Sequence, residues 1–296
     1  MANERDLILP AGEAPSDPSA GSVFFVGTAT VLIRCCGITI LTDPNFIHAH
    51  EKVSIGYGMH ATRLTDPAIE IGALPPLDLI VLSHFHGDHF DQVAERELDK
   101  SLPIVTTAEA ANELRHRGFH QTYALETWSA LNIMKRDVRL RITSMPGRHG
   151  PPLSDLVLPE VMGSMLEFDS ATDGRQFRMY ITGDTLLIDD LKEIPRRFPD
   201  LNLALLHLGG TKVLGIMVTM DGRQGVELMR IVNADQAIPI HYDDYDVFKS
   251  PLADFQREIA AAGLDQRVRY LERGQEYTFS LSPAPSAALP IEGQLR

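Results

Sequence analysis

The chain has 296 residues, long enough for one large α/β domain, and a net charge of −13, which repels the phosphate backbone of nucleic acids. No run of 18 or more apolar residues occurs, and residues 1–6 lack the basic and apolar segments that begin a secretion signal. These features predict a cytoplasmic protein that acts on a small molecule, without a nucleic-acid partner or stable membrane insertion. Assembly into a homo-oligomer remains possible from the sequence. The two cysteines, Cys35 and Cys36, lie in an apolar run and predict strand residues, not a disulfide framework.

The composition of the two ends differs from that of the middle. Residues 1–21 are rich in Ala, Gly, Pro and Ser, which predicts a flexible N-terminal arm, and residues 282–296 predict a similar flexible C-terminal tail. Residues 22–281 are then expected to form a single domain. It begins with three β-branched strands, predicted over residues 23–26, 30–34 and 38–42.

A long connection follows these strands, over residues 43–76. A loop of this length is usually functional or mobile, and it carries the apolar residues Phe46, Tyr57 and Met59. We expect it to shape the access of substrate, with Tyr57 as a substrate contact. The alternative is that these side chains only cover the edge of the domain.

Beyond residue 76, helices and strands alternate, then strands dominate, then the alternation returns. An apolar run at residues 77–82 predicts a buried strand, because such runs lack a polar face. Helix patterns and their end signals give helices at 92–100, 108–117, 186–197, 222–232 and 251–262. Further strands are predicted at 103–107, 138–143, 163–168, 177–182, 201–206 and 236–240.

The most informative segment is residues 83–91, S-H-F-H-G-D-H-F-D, in which four potential metal ligands occupy six positions: His84, His86, Asp88 and His89. Side chains alternate along a strand, so His84 and His86 can lean to the same side and hold one ion. Asp88 and His89 are sequence neighbours and are better placed to hold a second ion. The alternative is a polar turn with solvated histidines.

Other potential ligands also follow predicted strands. His149, Asp184 and His241 each lie at or just beyond such a strand end, and so does Asp43. Loops converge at strand ends, so these side chains can complete two metal sites. Each of them taken alone is more simply a capping or hydrogen-bonded polar residue.

The order of these motifs resembles the metallo-β-lactamase fold superfamily over roughly residues 23–280. The resemblance is to the branch with bacterial ascorbate-phosphate lactonases and the phospholipase D enzymes acting on N-acyl ethanolamine phospholipids. It rests on T-D-P at 42–44, residues 83–91, the isolated His149, I-T-G-D-T at 181–185 and I-P-I-H at 238–241. It implies an α/β fold, specifically an αββα sandwich with metals along one edge.

The resemblance also implies a ligand set. His84, His86 and His149 match the first metal site, while Asp88, His89 and His241 match the second. Asp184 matches the residue that bridges the two ions. Asp43 matches an acidic position behind the metals that orients a ligand histidine.

Such a centre implies a metal-dependent hydrolase with two divalent ions, zinc first, with manganese and iron as alternatives. A hydroxide bridging the ions would cleave an ester or lactone, with Asp88 and His241 as catalytic residues. A phosphodiesterase or phosphorylated-lactone hydrolase is the alternative, and a di-iron redox enzyme or a non-catalytic scaffold is disfavoured. The expected substrate contacts besides Tyr57 are His207, Lys212, Tyr242 and Arg148; for His207 and Lys212 a structural or ligand-supporting role is the equal alternative.

Overall fold

Two stacked β-sheets form the centre of the molecule. The computed structural model describes residues 5–12, 17, 19–56, 58–151, 158–170, 174–213 and 215–283. The first sheet has, in spatial order, β18 (Glu276–Ser280), β2 (Ala20–Gly27), β3 (Thr30–Cys35), β4 (Ile38–Thr42), β7 (Leu79–Val81), β8 (Ile104–Thr106) and β9 (Thr122–Ala124). The second has β1 (Arg5–Ile8), β10 (Ala130–Lys135), β11 (Val138–Met145), β12 (Gly163–Ser170), β13 (Arg175–Ile181), β14 (Leu203–His207) and β17 (Gln236–Ile240), with β19 (Ser282–Pro283) paired to β13. Two short hairpins stand apart, β5 (Lys52–Ser54) with β6 (His60–Thr62) and β15 (Lys212–Val213) with β16 (Ile216–Met217).

The apolar strands are buried on both faces. In β7, Leu79 and Val81 join the core between the two sheets, whereas Ile80 joins the core on the outer face of the first sheet. Alternation of side chains with a period of two produces this division. It also explains why the sequence has a continuous apolar run here instead of an apolar–polar pattern, because a strand with helices on one face and a sheet on the other meets no water.

Helices cover the outer face of each sheet. The first sheet is covered by α1 (Gln92–Glu97) and α2 (Ala108–His116), and the second by α3 (Ile194–Arg197), α4 (Gly222–Val232) and α5 (Leu252–Ala262). The helix α4 begins where the Asp221 side chain accepts a hydrogen bond from the Gln224 N–H at 2.9 Å, and it buries Val226, Met229 and Val232 against the second sheet. The predicted αββα sandwich is confirmed.

Two described stretches within the predicted flexible ends are strands. Arg5–Ile8 is a strand that pairs in parallel with β10, and Leu9 is buried in the central core. At the other end, Ser282–Pro283 pairs with β13. Strands of two to four residues depend on the neighbouring strand for their stability, so the Ala-, Gly-, Pro- and Ser-rich composition around them concealed them.

The predicted helix over residues 186–197 is also corrected. A 3-10 helix, Asp189–Glu193, precedes the four-residue α3. Pro195 lies in the first turn of α3, where its missing N–H costs nothing, but the same ring inside a longer helix would clash with the preceding turn. Within the described residues, no helix is both long and apolar enough to cross a membrane.

The long connection over residues 43–76 contains the hairpin β5–β6. This hairpin packs on the turn at residues 84–89, which carries His84, His86, Asp88 and His89. The Gly87 N–H donates to the Ser54 carbonyl at 2.9 Å. Phe46 is buried with the helices on the first sheet, so this side chain packs in the domain and does not face substrate. Met59 packs against the apolar cluster of the hairpin. Tyr57 lies outside the described residues.

Gly87→Ala is expected to lower the free energy of unfolding by about 1–3 kcal/mol, because a methyl group forces two packed segments apart. A Cβ on Gly87 would lie 2.7 Å from both the Ser54 oxygen and the Val53 Cβ. Urea unfolding measures the effect. Gly72→Ala is the matched control, since nothing lies within 4 Å of its Cβ position, and it should leave stability unchanged or raise it slightly. Equal stabilities of the two variants would contradict the close packing of the hairpin.

Candidate metal centre

The candidate ligands gather at one edge of the sandwich. Asp43 follows β4 and His84 follows β7 in the first sheet, while Asp184 follows β13 and His241 follows β17 in the second. The pairs β4–β7, β13–β14 and β14–β17 are parallel. The carboxyl ends of parallel strands meet at the same edge, and the polar side chains beyond them therefore converge.

The structure brings the expected ligands together in two adjacent groups. The first contains His84, His86 and His149, and the second contains Asp88, His89, Asp184 and His241; within each group the potential ligand atoms lie within 4.8 Å of one another. The ring centroids of His84 and His89 are 4.1 Å apart, so the groups are neighbours. All seven residues are buried except His86, which is partly exposed. Solvent therefore meets the two groups on the His86 side.

Backbone carbonyls fix the protonation of two histidines. His149 Nδ1 is 2.9 Å from the Val218 carbonyl oxygen, and His241 Nδ1 is 3.1 Å from that of Leu208. A carbonyl oxygen only accepts hydrogen bonds, so the proton of each neutral ring is on Nδ1 and the lone pair is on Nε2. This is the arrangement in which a histidine binds a metal through Nε2 while its other nitrogen holds the ring in place.

Four buried polar atoms in the second group lack a hydrogen-bond partner among the described residues: Asp88 Oδ1, Asp184 Oδ1, His89 Nε2 and His241 Nε2. A buried polar atom without a partner costs about 1–3 kcal/mol. His89 Nε2 is 3.4 Å from Asp184 Oδ2, and His241 Nε2 is 3.6 Å from Asp88 Oδ2, so these atoms face a common point. Imidazole and carboxylate donors suit zinc and other divalent transition metals, and the residues therefore fit a bound cation.

The two carboxylates are ionised at neutral pH. Burial alone raises the pKa of Asp88, but the positive charge of His89 and the nearby ring of His241, 3.6 Å away, outweigh it and lower the pKa to about 2. Burial likewise opposes ionisation of Asp184, yet His241 and His89 hold its pKa well below the usual value. The Thr219 hydroxyl also donates to Asp184 Oδ2 at 2.9 Å.

The first group consists of neutral histidines. Burial lowers the pKa of His86 to about 3, and it lowers the pKa of His84 well below the usual value. Burial is also the main cause that lowers the pKa of His149. Neutral imidazole is the form that binds metals, so these rings need to lose no proton at pH 7.

Asp43 lies behind the second group, as expected. One of its oxygens is 3.5 Å from His89 Nδ1, and the other is 3.4 Å from His207 Nε2. Burial alone raises the pKa of Asp43, but hydrogen bonds with His207 and His89 lower it to about 2. A carboxylate in this position fixes the orientation of the His89 ring.

His207 corrects the expectation of a substrate contact. Its side chain is fully buried, with Nε2 at Asp43 and Nδ1 3.2 Å from the Thr182 hydroxyl, and its ring stacks on His89 at 5.9 Å. Both ring nitrogens have partners, and no part of the ring faces solvent. His207 is therefore a structural neighbour of Asp43 rather than a residue that can reach substrate.

The other expected substrate contacts are dispersed. The Tyr242 hydroxyl donates to the Leu271 carbonyl, and its ring lines a cavity of about 590 Å³ whose lining contains none of the clustered residues. Lys212 is exposed and lines a second cavity of about 390 Å³ beside Lys249. Arg148 is half-buried next to His149, and its backbone N–H donates to Thr185. Arg148 and Tyr242 are therefore chain neighbours of the candidate ligands His149 and His241, whereas Lys212 lines a separate cavity.

Some supporting residues were not predicted. Asp244 is fully buried and accepts a hydrogen bond from the Thr28 N–H at 2.6 Å, while the Thr28 carbonyl accepts one from the His241 N–H at 2.7 Å. Thr28 and His241 both have left-handed backbones, with φ of 53° and 61°. This conformation is strained for residues other than glycine, so the contacts to Asp244 hold it in place. No sequence signal marks Asp244, because its partner is 216 residues away.

The αββα sandwich with two His- and Asp-rich groups at one edge defines a protein of the metallo-β-lactamase fold. The family model described as the β-lactamase superfamily domain matches residues 39–242, and the chain belongs to this family. A metal-dependent hydrolase of Methanospirillum hungatei is 31% identical over 220 residues, which cover 72% of this chain and 90% of the relative. The predicted enzyme class, a metal-dependent hydrolase of this superfamily, is confirmed, whereas the particular branch is not.

Two solved structures share the fold. An isothiocyanate hydrolase from Delia radicum gut bacteria has a TM-score of 0.72 at 19% identity, covering 88% of this chain and 99% of the other. A metallo hydrolase from the archaeon Ignicoccus hospitalis has a TM-score of 0.65 at 21% identity, covering 89% and 100%. At these identities the similarity shows the fold alone.

Proposed function

We propose that the chain is a hydrolase with a dinuclear metal centre that cleaves an ester or lactone. His84, His86 and His149 would hold one ion, Asp88, His89 and His241 the other, and Asp184 would be shared. The supporting observation is the pair of adjacent ligand groups, in which four buried ligand atoms of the second group have no hydrogen-bond partner among the described residues. Zinc is the first candidate, and manganese or iron would accept the same donors.

Divalent ions in such a centre supply Lewis-acid activation of a water molecule and of the bond to be cleaved. The two carboxylates, Asp88 and Asp184, would cancel only half the charge of two divalent ions, so the centre stays electrophilic. Asp88 Oδ1 is buried and has no partner within the described chain, and its carboxylate is ionised. It can accept a proton from the attacking water and return that proton to the leaving group.

The surroundings of the partly exposed His86 support an uncharged substrate. A Cβ on Gly56, in the β5–β6 hairpin, would lie 3.4 Å from His86 Nε2. The same hairpin contributes Ile55 and Met59 to an apolar cluster that includes Phe248, and the ring of Phe248 packs 4.4 Å from His241. Apolar side chains beside the ligands favour an ester or lactone over a multiply charged phosphate.

A phosphodiester or phosphorylated lactone is the second candidate. Arg148 favours it, because this cation adjoins His149 and its Nε is buried without a hydrogen-bond partner in the described chain. A screen of the metal-loaded protein against lactones, aryl esters and bis-aryl phosphodiesters separates the two. An isothiocyanate belongs in the panel because of the solved neighbour named for that substrate. Turnover of phosphodiesters alone would overturn the ester or lactone assignment.

Two metal ions per chain are expected after saturation with zinc, manganese or iron, because the seven clustered residues form two complete groups when Asp184 is shared. Metal analysis after removal of loosely bound ions gives the stoichiometry. A redox-active iron pair would identify the disfavoured di-iron enzyme, and a protein that binds no metal would be a scaffold. A value that stays at or below one would contradict the dinuclear centre.

A further inference from the structure

The hydroxyl of Ser83 lies between the two candidate metal groups. Ser83 Oγ is 3.0 Å from Nδ1 of His84, in the first group, and 3.3 Å from Nδ1 of His89, in the second. It is also 2.9 Å from Asp43 Oδ1, which accepts a hydrogen bond from the Ser83 backbone N–H at 2.7 Å. Ser83 is buried, so water does not compete for these contacts.

The number of available protons determines which atom donates in each of these contacts. A serine hydroxyl has one proton to donate and two lone pairs that accept. The Asp43 carboxylate only accepts, so the Ser83 proton must point to Asp43, since otherwise two acceptors would face each other at 2.9 Å. The lone pairs of Ser83 are then left to accept N–H protons from Nδ1 of His84 and from Nδ1 of His89.

The position of these protons determines which ring nitrogens of His84 and His89 can bind a metal. In the neutral form that binds a metal, a proton on Nδ1 leaves the lone pair of each ring on Nε2. Nε2 of His84 is 3.2 Å from His86 Nδ1, inside the first group, and Nε2 of His89 is 3.4 Å from Asp184 Oδ2, inside the second. The Nε2 atoms are therefore the ones that face the other candidate ligands.

We propose that Ser83 is a positioning residue that holds one ligand of each group in its Nδ1–H form, as the acceptor for His84 and together with Asp43 for His89. This inference rests on the proposed dinuclear centre. An ion bound to Nε2 of His84 forces the proton of that ring onto Nδ1 and toward Ser83. Ser83, which donates to Asp43, accepts that proton and offers its other lone pair to His89, whose Nδ1 also lies 3.5 Å from Asp43 Oδ1.

The tautomers can be measured in the wild-type protein. In zinc-loaded protein labelled with ¹⁵N-histidine, long-range proton–nitrogen correlations are expected to show His84 and His89 as Nδ1–H rings with metal-bound Nε2. Either ring found as the Nε2–H tautomer would overturn the proposal. This measurement does not depend on the folding of any variant.

Ser83→Ala tests this positioning role. The variant should bind each of the two ions about 10–100-fold more weakly, the range for groups that orient metal ligands, and the Nδ1–H signals of both rings should lose their protection from exchange. Ser144→Ala is the matched control, because Ser144 is equally buried and is absent from both groups. It should bind both ions as the wild type does.

The outcomes separate this proposal from the proposed function. Weaker binding of only one ion in Ser83→Ala would show that Ser83 positions one group only, and it would overturn the proposed role in both. Unchanged binding of both ions would overturn it as well. A wild-type protein that holds a single ion would instead overturn the dinuclear centre on which the proposal rests.

Discussion

Asp184→Asn is expected to lower kcat by more than about 100-fold, which exceeds the 10–100-fold range for residues that only orient metal ligands. Asp184 lies 3.4 Å from His89 and 3.5 Å from His241, and its Oδ1 is buried without a hydrogen-bond partner in the described chain. Asparagine keeps the shape but removes the negative charge and presents an amide group where a cation is proposed. Activity and bound metal should therefore fall together.

Two comparisons make this result specific to Asp184. His207→Ala should lose much less activity, because His207 contacts Asp43 and Thr182 and belongs to neither the first nor the second group of candidate ligands. Thr219→Val removes only the hydroxyl that donates to Asp184 at 2.9 Å, and a loss of about 10-fold is expected. Steady-state kinetics with metal analysis of each variant measures these effects. Similar kcat and metal content in Asp184→Asn and His207→Ala would show that Asp184 is not shared between ions.

The position of His207 could have been predicted from strand parity. Along β14, Leu203 and Leu205 face the core between the sheets, whereas Ala204 and Leu206 face the helices on the second sheet. His207 has the parity of Leu205 and so faces inward, toward Asp43. Parity therefore places His207 behind the ligands and not among the substrate contacts.

The predictable part of the site follows from local pattern, and the remainder depends on distant partners. The histidines of residues 83–91, His149, Asp184 and His241 were identifiable because each follows a strand with a clear apolar pattern. The orienting contacts were not, since Val218 and Leu208 act through backbone carbonyls that any residue would supply. The hairpin β5–β6, with three residues in each strand, is likewise too short to leave a pattern.

Asp43→Ala is expected to lower the free energy of unfolding by about 3–5 kcal/mol, the usual cost of removing one partner from a buried charged network. The Asp43 carboxylate is 1% exposed and accepts hydrogen bonds from the N–H and hydroxyl of Ser83, and it faces His89 and His207. Alanine leaves these donors buried with no acceptor. Asp99→Ala is the control: the Asp99 carboxylate accepts hydrogen bonds from Ser101 at the surface, and a change within about 0.5 kcal/mol is expected.

The pH dependence of this loss has a defined sign. The pKa of Asp43 in the folded protein is about 2, below the usual 3.8, so its carboxylate stabilises the fold above about pH 4, and that contribution is lost as the pH falls toward 2. Urea unfolding of the metal-free wild type and Asp43→Ala should therefore differ most at pH 7 and less at pH 3. Because chelator removes bound ions from both proteins, loss of metal cannot account for the difference. A gap that is equal at both pH values would mean that the volume of the side chain, not its charge, supports the histidines.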